Sequence, residues 1–111
     1  MKKYCLALDL VNDEKSIAEY EHWHRKENLR PEIMKSIKDA GIEVMDIYRT
    51  GNRLFMIMEA KDDFSFEHKA AMDASDPKVQ DWEAFVSTFQ QSLPWAKKGE
   101  KWVLMDKIFE L

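Results

Sequence analysis

Apolar and polar residues alternate from Lys3 to Leu10, with Tyr4, Leu6, Leu8 and Leu10 on one side and Cys5, Ala7 and Asp9 on the other. A period of two belongs to a half-buried strand, so a strand is expected over 3–10. Asn12 and Asp13 then supply turn and helix-capping oxygens. From Asp13 to about Glu27 the pattern becomes helical: Ile17, Tyr20 and His24 recur at i, i+3 and i+7 and share one face. Pro31 with Glu32 suits the first turn of a second helix. Ile33, Met34 and Ile37 give that helix its apolar side, and Gly41 closes it.

Residues 42–50 return to alternation, with Ile42, Val44, Asp46 and Tyr48 pointing one way and Glu43, Met45 and Ile47 the other. Gly51-Asn52 is a turn signal and Leu54 to Glu59 a third strand, so the two should form an antiparallel hairpin. Asp62 to Ala74 holds a helical piece with Phe64 and Phe66 near its start. Asp76-Pro77 opens another, in which Val79, Trp82, Val86 and Phe89 share a face and which Pro94 ends. Residues 95–100 form a loop with Gly99, and Trp102 to Phe109 reads as a last strand.

The resulting order predicts a single α+β domain over 1–111 with the ferredoxin-like βαββαβ arrangement: a four-stranded antiparallel sheet with helices on one face. If the other face is apolar, two sheets can pack against each other as a dimeric α/β barrel, an expectation by fold analogy.

Composition narrows the function classes. Hydrophobic residues make up 45% of the 111, enough for a real core. The net charge of −4 and the scattering of Lys and Arg leave no basic stripe to track phosphates or an anionic bilayer. Neither nucleic acid nor membrane is therefore expected as a partner. The lone Cys5 cannot form an internal disulfide or a CxxC site, and Asp9 cuts short the apolar run of a would-be signal peptide. These features predict a cytoplasmic protein.

Candidate chemistry concentrates on one helix. His22 and His24 are two apart and cannot pair as an i, i+4 metal site, and His68 stands among charged residues, so no metal is expected. Tyr20 and His24 are one turn apart on the face that turns inward with Ile17. A histidine there can give or take a proton near neutrality. The same spacing also fits a core histidine bonded to a backbone carbonyl, with Tyr20 as packing. Trp23, Trp82, Trp95, Trp102 and Tyr48 add many large rings for so short a chain. Such rings stack on the apolar faces of sugars, though Trp82 and Trp102 also sit at core spacing.

The segments E-Y-E-H-W-H at 19–24, P-E-I at 31–33, I-Y-R-T-G-N-R-L-F at 47–55 and V-Q-D-W at 79–82 together resemble the L-rhamnose mutarotase family. P-W-A-K-K-G-E-K-W at 94–102 is similar to a branch associated with L-fucose use. The resemblance implies a ferredoxin-like homodimer that interconverts the α and β anomers of a 6-deoxy-hexose without a cofactor. It places the proton donor on His24 and sugar contacts on Tyr20, Tyr48 and Trp82. The chain also departs from the family pattern. A longer segment, R-K-E-N-L-R, precedes Pro31 and puts Arg30 where a tryptophan is usual, and Glu83 replaces the second member of a Trp pair. Arg30 and Glu83 are therefore candidate contacts for an altered hydroxyl pattern. The competing readings are a cofactor-free monooxygenase of the same architecture and a non-enzymatic ligand-sensing domain.

Overall fold

The computed structural model describes all 111 residues. Strand β1 (Lys2–Leu10) leads into helices α1 (Glu14–His24) and α2 (Pro31–Asp39). The hairpin β2 (Ile42–Thr50) and β3 (Arg53–Ala60) follows, then α3 (Phe66–Ala74), α4 (Pro77–Ser87) and two short strands, β4 (Gln90–Gln91) and β5 (Val103–Leu104). The sheet order is β2-β3-β1-β4, with β5 also on β1, and every pairing is antiparallel. This is the ferredoxin-like order that the patterning predicts.

The helices start where the sequence places cap chemistry. The Asp13, Ser65 and Asp76 side chains accept from the backbone N–H groups of Ser16, His68 and Lys78, satisfying donors that the first turn leaves free. Pro31 and Pro77 open α2 and α4. Gly41 follows α2 with φ +92°, a conformation that a side chain would strain.

Leu6, Leu8 and Leu10 lie opposite Met56, Leu54 and Gln90, which sets one face of the sheet toward the helices. Leu10 and Leu54 pack there with Tyr20, Ile33, Val79, Trp82, Val86 and Phe89. Leu6, Met56 and Met58 pack with Ile42, Ala60 and Phe64. Enclosing a leucine such as Leu8 or Leu10, both fully buried, is worth about 1.5–3 kcal/mol each.

Four expectations need correction. First, α1 stops at His24 rather than near Glu27, because Arg25 leaves helical geometry (ψ 146°). Second, a register shift between Ile42 and Val44 puts an extra residue in β2. Ile42 therefore joins the helix-side core, while Val44, Asp46 and Tyr48 face the other way. Third, α4 ends at Ser87, well before Pro94, and β4 occupies 90–91. Fourth, the last strand pairs only at Val103 and Leu104 rather than over 102–109. The fourth position of the sheet is thus shared by two short segments along one edge of β1.

On the face away from the helices, Asp9 is buried at 4% exposure. Arg53, its cross-strand neighbour, donates to both carboxylate oxygens at 2.8 and 3.2 Å and stacks on Trp95, 5.2 Å from the ring centre. The buried carboxylate is tolerated because this fork answers it.

Candidate active site

α1 delivers Tyr20 and His24 to the same side one turn apart. Tyr20 is buried at 4% exposure, with its ring edge-on to Phe89. The His24 ring stacks on it at 4.1 Å between centres and 27° between planes. His24 Nδ1 lies 2.7 Å from the Tyr20 carbonyl oxygen. A carbonyl oxygen only accepts, so Nδ1 carries the proton that makes this bond, and Nε2 is left as the atom that titrates.

Burial pulls the His24 pKa below its ordinary value, and the bond to the Tyr20 carbonyl offsets part of that shift. Burial raises the pKa of Tyr20, while the Gln90 side chain at its hydroxyl acts in the opposite sense. The Tyr20 hydroxyl therefore keeps its proton at neutral pH and can donate.

Trp82, on α4, brings its ring to 5.3 Å from that of His24. The Arg30 guanidinium lies 5.3 Å from the centre of the Trp82 ring and 5.6 Å from that of Phe85, within cation–π range. Helix α2 therefore begins by covering the tryptophan, with no side-chain cap at Arg30.

A cleft of about 900 Å³ opens between the sheet and the helices, its wall including Tyr20, His24, Ile33, Met56, Trp82 and Gln90. Glu83 is on its border, exposed, with Gln80 at 3.4 Å. A second hollow of about 420 Å³ shares Tyr20 and His24 and adds Arg25, Tyr48 and Arg49. His24 thus stands between two spaces of ligand-pocket size.

The structure gathers Tyr20, His24, Trp82 and Glu83 around the larger cleft. Arg30 touches the site only through the Trp82 ring and is not part of the cleft wall. Tyr48 borders the smaller hollow from the outer strand of the sheet, is 59% exposed, and faces away from the helices beside Phe55. His22 and His68 are exposed. No three His, Cys, Asp or Glu side chains converge. Sequence reasoning missed Gln90, since a two-residue strand carries no period to read. It also missed the Asp9–Arg53 pair, which depends on cross-strand register.

Comparison with known proteins places this geometry. Residues 3–111 match the family described as L-rhamnose mutarotase. An L-fucose mutarotase from Xanthomonas campestris pv. campestris is 44% identical over 111 residues, spanning 100% of this chain and 89% of that protein. A UPF0734 protein of Dictyostelium discoideum is 35% identical over 117 residues, spanning 99% and 90%. Among solved structures, the L-rhamnose mutarotase FA22100 from Formosa agariphila superposes with a TM-score of 0.71 at 19% identity, over 100% of this chain and 99% of that one. Tetracenomycin F2 cyclase from Streptomyces glaucescens reaches 0.63 at 15% identity, over 100% and 97%. These two likenesses speak for the fold alone.

Fold, site and relatives together define an isomerase acting on carbohydrates, an aldose mutarotase that interconverts sugar anomers. The chain belongs to the L-rhamnose mutarotase family. The monooxygenase and ligand-sensor readings are not favoured. No helix is long and apolar enough to cross a membrane.

Proposed function

We propose that the sugar is a 6-deoxy-hexose, with L-fucose the preferred substrate and L-rhamnose the second, and that His24 is the proton donor. The observation that carries the catalytic role is the His24 imidazole itself, tied at Nδ1 to the Tyr20 carbonyl, with Nε2 left to titrate beside Trp82 in the cleft. The L-fucose assignment rests on the identity to the Xanthomonas enzyme along the whole chain.

Ring opening removes the proton of the anomeric hydroxyl to a base. The bond from the anomeric carbon to the ring oxygen breaks as the carbonyl forms, and His24 Nε2–H gives its proton to the ring oxygen. Rotation about the adjacent carbon–carbon bond presents the other carbonyl face. On closure the ring hydroxyl attacks that face, its proton returns to Nε2 and the carbonyl oxygen regains one. Atoms and charge balance, and the residue that acted as acid in opening acts as base in closing. The lowered pKa makes the His24 imidazolium a stronger acid than free histidine. Tyr20 donates a hydrogen bond to a sugar hydroxyl, and Trp82 offers an apolar face to the ring. Glu83 borders the substrate at the larger cleft and Tyr48 at the smaller hollow, while Arg30 acts through the Trp82 ring that it covers.

The proposed assembly is a homodimer. Supporting it, Val44 and Tyr48 are exposed on the face opposite the helices, and Ile108, Phe109 and Leu111 are exposed beyond the short β5. These are large apolar groups for a lone chain to leave in water. The proposed setting is the cytoplasm, where Cys5 stays a free thiol.

The test is saturation-transfer NMR on equilibrated L-fucose and L-rhamnose with and without protein. Faster exchange between anomeric resonances of L-fucose than of L-rhamnose is expected. Exchange at the uncatalysed rate for both would refute the sugar assignment.

A further inference from the structure

We infer that Gln90 is a substrate-binding residue of this site, accepting a hydrogen bond from a sugar hydroxyl. The inference rests on the sugar-mutarotase reading and adds a contact to it.

Two observations converge on Gln90. The first is placement. Strand β4 pairs Gln90 with Leu10, so its side chain projects to the helix side of the sheet, and it lines the cleft with Tyr20, His24 and Trp82. The second is an unanswered acceptor. Gln90 Oε1 is shielded from solvent and has no hydrogen-bond partner.

A buried amide oxygen without a donor is rare in folded proteins and signals a missing partner. An amide oxygen only accepts, so the partner must bring an O–H or N–H. A monosaccharide brings several hydroxyls into a cleft whose wall Gln90 already forms. The terminal torsion of glutamine is soft, so a small rotation turns the oxygen toward the ligand without disturbing β4. The contact would hold the sugar ring against the cleft wall formed by Trp82 and His24. It also gives a basis for selectivity: a site built to pair a substrate hydroxyl rejects an analogue lacking it, because the buried acceptor is again left alone.

The experiment is a functional-group cycle on the whole protein. Binding of L-fucose and of its monodeoxy analogues is measured by NMR titration for wild type, Gln90→Leu and Gln90→Met, with circular dichroism confirming the fold. Gln90→Leu is expected to weaken L-fucose binding by about tenfold or more. One deoxy analogue should bind wild type correspondingly weakly yet lose nothing further in the variant. Gln90→Met, flexible and of similar length, should behave like Gln90→Leu and decides the matter if the leucine variant does not fold. Unchanged L-fucose affinity in the folded variant, or penalties that add for every analogue, would overturn the inference. Absence of anomer exchange in wild type sinks the sugar-mutarotase reading instead, so the two failures are distinguishable.

Discussion

His24 Nδ1 and the Tyr20 carbonyl oxygen are 2.7 Å apart, one helical turn along α1. One backbone acceptor thereby selects which imidazole nitrogen is left to titrate, and the same two residues stack their rings at 4.1 Å. The pairing that could have been mere packing also aims a titrating nitrogen.

Replacing His24 removes that nitrogen. His24→Ala is expected to slow L-fucose anomer exchange by about 10²–10⁴-fold at saturating sugar, read by saturation-transfer NMR. Exchange within twofold of wild type would take His24 out of the donor role.

The pH dependence has a definite sign. The folded pKa of His24 lies below its ordinary 6.5, chiefly through burial. A donor must be protonated, so exchange should fall as pH rises through that lowered pKa, with an inflection below 6.5. An inflection of opposite sense, with activity lost on acidification, would make His24 the initial base. Stability follows linkage. Above 6.5 neither state holds the proton. As pH drops below 6.5 the unfolded chain binds a proton that the folded one resists, so folding stability falls until the folded pKa is passed. Urea unfolding at a series of pH values, with His24→Gln flattening this part of the profile, checks it.

Trp82 both packs the core and shields His24 from water. Trp82→Ala is expected to cost about 3–5 kcal/mol of stability and to let the His24 pKa climb back toward 6.5 as water enters. Denaturant unfolding measures the first and an NMR titration of the imidazole the second. A pKa left where it was would mean that other groups desolvate His24.

Away from the cleft, the Arg53 fork answers a nearly sealed Asp9 carboxylate. Arg53→Met leaves that carboxylate unpaired and should lower Tm by several degrees. The double variant with Asp9→Asn should recover part of the loss, because a neutral amide is cheaper to bury. Equal Tm values for wild type and Arg53→Met, by calorimetry, would show that the pair contributes nothing net.

Much of the site was legible in the sequence. Tyr20 and His24 share a helix face whatever the rest of the chain does, since the helical period sets side-chain direction. Capping at Asp13 and Asp76 and the turn at Gly51 are equally local. That Tyr48 faces the smaller hollow while Ile42 joins the helix-side core depends on the bulge after Ile42, and nothing in I-E-V-M-D announces an extra residue. Gln90 was invisible because a two-residue strand is recognised only by the partner it finds on β1.

What the sequence by itself determined is therefore the helices, the first strand and the hairpin, their order, and the inward pair on α1, all fixed by short-range periodicity and cap chemistry. The tertiary structure alone decided how strands register, which residue answers Asp9, how Trp82 packs beside His24 with Arg30 over its ring, and where an amide oxygen is left without a donor. Those are contacts between residues far apart in the chain, chosen by packing and by the cost of burying unpaired polar groups. No local pattern carries that information.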